Sequence, residues 1–277
     1  MFDRISRSWT LVKASAAVLR SDKELLLFPV ISGIATLLVA ASFAVPVIGL
    51  RLFEGGEIGV LGAVVGFLFY LCQYFVIFFF NTALVGAAMI RLEGGDPTVA
   101  DGLRIARSKL GVILGYAAIA ATVGLLLKAA SERAGLFGRI LIGMLGMAWT
   151  VGTFLVVPIL VTRDVGPIDA VKESMTLLKR TWGENVAGNV GIGLAFGLLT
   201  TLVVIASIAL VIGAAAVGGG KLALVAVVFA VIAIGSVAVI QAALSGVYAA
   251  AVYRYAVDGQ APQGFAGPQL QAAFQAK

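Results

Sequence analysis

Residues 163–184 read RDVGPIDAVKESMTLLKRTWGE, a polar segment of helical periodicity set between two blocks of apolar sequence. Ile168, Val171, Met175, Leu178 and Trp182 recur at three- and four-residue spacing and share one side of a helix, while Lys172, Glu173, Thr176, Lys179 and Arg180 fall elsewhere. Pro167 suits the first helical turn, where its missing N–H costs least. A basic face opposite an apolar one that carries a tryptophan fits the layer between lipid headgroups and acyl chains.

Two more segments share this character. Residues 4–20, RISRSWTLVKASAAVLR, put Ile5, Trp9, Val12, Ala16 and Leu19 on one side, and residues 92–109, LEGGDPTVADGLRIARSK, repeat Val99, Leu103 and Ala106 at helical spacing before Leu110. Asp96 before Pro97 reads as a cap followed by a first-turn proline. The sequence between the connectors is apolar, and six spans are expected, over 25–50, 58–90, 110–127, 140–162, 185–220 and 222–253. Each exceeds or approaches the roughly 20 residues that cross hydrocarbon as a helix. The run 58–90 has 33 uncharged positions and must tilt, kink or project from the bilayer. A tight turn is expected at 218–221, and a mobile tail or short docked helix at 258–277.

Composition supports the same class. Apolar residues make up 61% of the 277, charged ones 12%, and the mean hydropathy is +1.06, against about a quarter charged in soluble proteins. With no histidine and one cysteine, Cys72, the chain has no internal disulfide, no His/Cys zinc set and no imidazole-based triad. The net charge of +6 is read as topology and attraction to anionic headgroups, not as nucleic-acid binding, because no basic patch interleaved with aromatics accompanies it. Eight charges in the first 24 residues leave no signal-peptide core, so the first span is expected to remain as an anchor.

Short matches between connectors point to repetition. SWTLVK at 8–13 resembles SMTLLK at 174–179, and the stretch from Asp96 aligns with that from Gly166, pairing Pro97 with Pro167, Ala100 with Ala170 and Lys109 with Lys179. Duplication of one unit, and convergence of connectors on one interfacial solution, both explain such matches. The expected fold is all-α and polytopic, a single membrane domain over 1–257 in three units of about 1–90, 91–162 and 163–257, each an amphipathic helix followed by two spans. Fifteen of the 20 basic residues lie on the side of the termini and long connectors, so this side is expected to be cytoplasmic, in a bacterial plasma membrane.

The spans lack ionisable residues at their centres, which argues against coupling through a buried carboxylate. Asn81 and Gln241 are the amides deep enough to line a central cavity, bridging helices being the alternative use; Trp9 and Trp182 are the candidate interfacial anchors. The glycine pairs 62/66, 111/115 and 193/197 are candidate close-packing sites. Asp96, Asp101, Asp164, Asp169 and Glu173 are read as caps and charge balance at helix ends, with no catalytic, cofactor-binding or metal site expected.

In its connectors, with a proline, an amphipathic turn and a Ser/Thr–Leu–Lys ending, the chain resembles a loose group of uncharacterised six-span bacterial membrane proteins, similar in layout to the membrane domain of some glycerophosphodiester phosphodiesterases. The resemblance implies the fold and supplies no catalytic pattern. Three functions are compatible with it: a non-enzymatic protein that organises lipids or binds a protein partner at the inner leaflet, an uncoupled permease or lipid conduit, and a helper subunit whose partner docks on the tail. Membrane lipids are the expected partners in each.

Overall fold

The computed structural model describes residues 13–49, 60–182 and 187–258 together with Phe265. The chain is all-α, with no strand among the described residues. Five helices are long and apolar enough to cross a membrane: Lys23–Val45, Val60–Leu92, Leu110–Arg133, Leu136–Thr162 and Gly197–Asp258. Helices suit such sequence because every backbone group is paired within the segment, as hydrocarbon requires.

Helix α1, described over residues 13–21, stops where Asp22 turns extended and caps the 3-10 turn Lys23–Leu26 by accepting from the Glu24 N–H. Helix α2 (Leu27–Gly49) follows directly, and α3 (Val60–Leu92) then runs 33 residues, about 50 Å at 1.5 Å per residue. Gly94, with φ 90, turns the chain out of α3 in a conformation that a side chain would strain. The cap of α4 (Val99–Ser108) is Thr98 and not the expected Asp96. Thr98 Oγ1 accepts from the Asp101 N–H while the Asp101 carboxylate accepts from the Thr98 N–H, so two orphan donors are satisfied reciprocally and Asp96 is left to pair with Arg91.

Lys109 alone separates α4 from α5 (Leu110–Arg133), which extends past Leu127, where the sequence suggested an end. Ala129 and Ala130 favour helix, and the long side chains of Lys128 and Arg133 can reach back to water from its last turns. The expected fourth span is two helices, α6 (Leu136–Gly152) and α7 (Val156–Thr162), joined by a turn over 153–155. Helix α8 (Pro167–Trp182) is the third connector, and α9 (Ala187–Asp258) comprises 72 residues broken at Gly219, whose φ of 62 and ψ of −160 are not helical. Ser207 and Val211 before the break border the same small cleft as Ala230 and Ile234 after it.

Burial is concentrated at the connector end. Residues 82–89 of α3, 155–160 and 246–253 of α9 are buried without exception, whereas α6 has no buried residue. Large apolar side chains elsewhere, such as Leu37, Leu145 and Ile212, remain exposed, which costs little where lipid tails are as apolar as leucine. The core is rich in alanine, and close approaches occur at glycines outside the predicted pairs as well as at Gly115 within them. A Cβ on Gly246 would come within 2.5 Å of Leu84, and one on Gly86 within 2.9 Å of Ile105. At Gly66, Gly111 and Gly197 it would meet nothing within 4 Å, whereas at Gly115 it would come 2.9 Å from Pro167.

The inward face of α8 also differs from the spacing argument. Ala170, Ser174 and Leu178 are buried, while Ile168 and Met175, placed on the apolar side by periodicity, are exposed. The reason is Ser174: its Oγ donates to the Gly152 carbonyl (2.7 Å) and accepts from the Leu155 N–H (3.2 Å), satisfying both sides of the α6–α7 break. That requirement draws a polar residue inward. The alignment from Asp96 and Gly166 pairs exposed Ala100 with buried Ala170 and buried Ala106 with exposed Thr176, so its register does not carry one face of α4 onto that of α8.

Candidate functional site

The connectors meet at one end of the bundle in a lattice of polar contacts. Glu24 accepts from the Val99 N–H (2.9 Å), tying the segment after α1 to α4. Lys109 reaches the Asp164 carboxylate (2.8 Å) and the Arg163 carbonyl (3.1 Å), tying the start of α5 to the approach of α8, and Arg163 pairs with Glu173 at 2.7 Å. Arg254 bridges Glu93 and Asp258, joining the ends of α3 and α9. The carboxylates predicted to balance helix ends thus do two jobs: Asp101 caps, whereas Asp96 and Asp164 form ion pairs and Asp169 pairs with Lys172 one turn on. Most of these groups are exposed, and each pair contributes a modest amount.

Three carboxyls respond to pH with opposite signs. The Thr98 hydroxyl and N–H hold Asp101 below the ordinary carboxylate range, and Lys109 does the same for Asp164. Their contribution is present above about pH 4 and is lost as the pH falls through the lowered values. Asp22 is buried with Oδ2 unpartnered, and desolvation raises its pKa despite the Glu24 N–H and nearby Arg91. Its contribution is full below about pH 4 and declines as the pH rises through the raised value. Asp22→Asn keeps a cap oxygen and removes that decline, so we expect the variant to gain thermal stability over the parent near pH 7 and to lose the gain near pH 3, read from unfolding in detergent.

Below this lattice lies a cavity of about 340 Å³ between α2, α3, α5, α7 and α9. Asn81 is on its wall, eleven residues before the end of α3 and thus about 16 Å along the helix from the connectors. Ser32, Tyr116, Thr153 and Ser245 add polar atoms to walls that are otherwise mainly apolar. Gln241 is half-buried and does not line this cavity, although its neighbour Ala242 does. Gln73 instead bridges helices, its Nε2 donating to the Thr36 carbonyl at 3.3 Å. Ser32, Thr153 and Ser245 carry no distinctive sequence signal, since serines and threonines are scattered through all the spans, and only the folded arrangement brings them together with Tyr116.

A second, larger cavity of about 750 Å³ opens between α2, α3 and α5 at the opposite end. Phe43, Phe69 and Tyr70 form part of its wall, and Lys128, Glu132 and Arg133 stand at its rim. An aromatic ladder runs along α3 from one space to the other. Tyr70 of the outer cavity stacks on Tyr74 (6.4 Å between centroids), Tyr74 on Phe78 (5.7 Å), and Phe78 on Tyr116 (4.4 Å), the last two belonging to the inner wall. The two cavities share no lining residue. The i, i+4 spacing of 70, 74 and 78 was present in the sequence as part of an apolar run, where it could not be distinguished from ordinary packing.

Trp9 lies outside the described residues, as does the side chain of Trp182. The tail is likewise outside them except for Phe265, which is buried in the core cluster. No curated protein sequence matches the chain. The sequence profile of a family of unknown function, DUF6159, matches residues 60–265, which takes in every described helix from α3 onward and the walls of both cavities apart from those that α2 supplies. This long apolar all-α chain therefore belongs to that family of unknown function.

Proposed function

We propose that the protein is a non-enzymatic integral protein of the bacterial plasma membrane that organises lipids or binds a partner at the inner leaflet. The observation that carries this reading is that the two cavities share no lining residue, with the Tyr70–Tyr74–Phe78–Tyr116 ladder running from one to the other, which supports two separate pockets. In this reading the chain crosses the bilayer six times. The break at Gly219 supports counting α9 as two spans, since 72 residues would extend about 108 Å as one rod, more than three times the hydrocarbon thickness. Both termini are inside, because the connector end carries most of the lysine and arginine.

The three connectors then lie along the inner leaflet as amphipathic helices, each introducing a pair of spans. Exposed Arg104, Arg107, Lys172 and Lys179 suit anionic headgroups or an acidic partner surface. Repetition in this layout rests on the order of elements rather than on the Asp96–Gly166 alignment, whose register the burial pattern does not support. The likeness in layout to the membrane domain of phosphodiesterases is kept at that level, and no catalytic, cofactor-binding or metal-ligating residue is part of the reading.

A lipid conduit is the second reading, favoured by one feature: the cavities are stacked along α3 with Tyr74 and Phe78 between them as a gate would be. Extraction of the full chain in native-lipid particles, with mass spectrometry of what accompanies it, separates the two when combined with flux measurements in vesicles. Reproducible enrichment of particular lipids or one protein, with leakage and lipid exchange equal to empty vesicles, supports the first. A reproducible small-molecule passenger or protein-dependent flux overturns it.

A further inference from the structure

We propose that the outer cavity between α2, α3 and α5 is a binding site for a lipid with an anionic headgroup. The site extends the lipid-organising reading to the end of the bundle opposite the connectors, and rests on it. Its volume of about 750 Å³ falls within the range of built ligand pockets, roughly 300–1,000 Å³. The wall is what an acyl chain requires: alanine, valine and glycine from α2 and α3, with Phe43 and Phe69 in edge-to-face contact at 5.5 Å. The rim is what a phosphate requires. Lys128 and Arg133 lie five residues apart in the last turns of α5, both on the lining, and among the described lining residues they outnumber the one carboxylate, Glu132.

Lys128 Nζ rests over the Tyr70 ring, 5.9 Å from its centroid, rather than pairing with Glu132 one turn on. This holds a cation at the mouth, above the aromatic end of the pocket. A lysine or arginine close to a bilayer surface attracts an anionic headgroup with about 1 kcal/mol. Tyr70 adds an aromatic ring with a polar tip, the type of side chain enriched at headgroup depth. Gly66 completes the space: a Cβ there would meet nothing within 4 Å, so among the described residues this stretch of α3 leaves room for a ligand.

The test places the full chain in bilayer discs containing equal dioleoylphosphatidylglycerol and dioleoylphosphatidylcholine and counts retained lipids by native mass spectrometry. The parent should retain phosphatidylglycerol preferentially. Lys128→Gln and Arg133→Gln should each reduce that retention roughly fivefold, the equivalent of about 1 kcal/mol per cation near a lipid surface. Gly66→Leu keeps both charges and blocks the space, and should reduce retention at least as much. Equal retention of the two lipids by the parent overturns the site. So does an undiminished phosphatidylglycerol preference in Gly66→Leu together with the two charge variants, an outcome that leaves the broader lipid reading standing; protein-dependent flux through the same bilayers defeats that broader reading instead.

Discussion

Replacing Gly102 by alanine is expected to destabilise the protein by about 1–3 kcal/mol, and by leucine more, although either residue favours helix over glycine by up to about 1 kcal/mol. Gly102 is where α4 crosses α3. A Cβ there would come 2.5 Å from Phe28 Cζ and 2.6 Å from the Ala83 carbonyl oxygen. Phe28 is a fully buried ring, and Ala83 offers a backbone atom within a rigid helix, so neither can yield by a rotamer change. The connector must lift, taking with it the neighbouring contact of Ile105 with Gly86. Gly33→Ala is the matched control, since its Cβ would meet nothing within 4 Å in a helix interior. Thermal unfolding in detergent should show a fall of several degrees for Gly102→Ala and no fall for Gly33→Ala.

The second large effect is expected from Ser174→Ala. Loss of one hydroxyl orphans two backbone groups, the Gly152 carbonyl and the Leu155 N–H, at a buried break between helices. An unsatisfied buried group costs about 1–3 kcal/mol; the Leu155 N–H is buried and the Gly152 carbonyl only partly so, and a total of roughly 2–4 kcal/mol is expected, large for a change of one atom. Burial of Leu155 keeps its N–H from recovering a partner in solvent. The readout that distinguishes this from simple loss of packing is hydrogen exchange: the Leu155 amide should lose protection in the variant by far more than amides in the middle of α3.

Much of the architecture was legible because lipid imposes severe rules. A run such as 58–90 without a charge admits few structures, and α3 occupies nearly that range. The polar connectors emerged equally well, since a charged segment between apolar blocks must return to water. Periodicity was less informative about which side of a connector turns inward. The spacing of Ile168, Val171 and Met175 suggested one face of α8, but the break at 153–155 lies elsewhere in the chain and made a serine the buried residue. Local sequence carries no trace of a backbone defect some twenty residues away.

The same limitation governs the cavities. Asn81 could be singled out as a deep amide, and it faces a cavity, whereas Gln241 at comparable expected depth does not line it. Depth along a helix follows from residue number, while azimuth depends on packing of small residues such as Gly246 against Leu84. Lys128 and Arg133 looked like loop residues. They became rim residues because α5 continues through them instead of ending at Leu127.

The most direct test of the whole arrangement is sidedness. With Cys72 replaced by alanine, single cysteines at Ser108, Lys172, Arg133 and Gly220 can be challenged in intact cells with a membrane-impermeant maleimide, before and after permeabilisation. We expect Arg133 and Gly220 to be labelled from outside and Ser108 and Lys172 only once the membrane is opened. Labelling of position 220 from the same side as 108 and 172 would contradict a last helix folded back at Gly219, and with it the pairing of spans behind connectors gathered on the inner face.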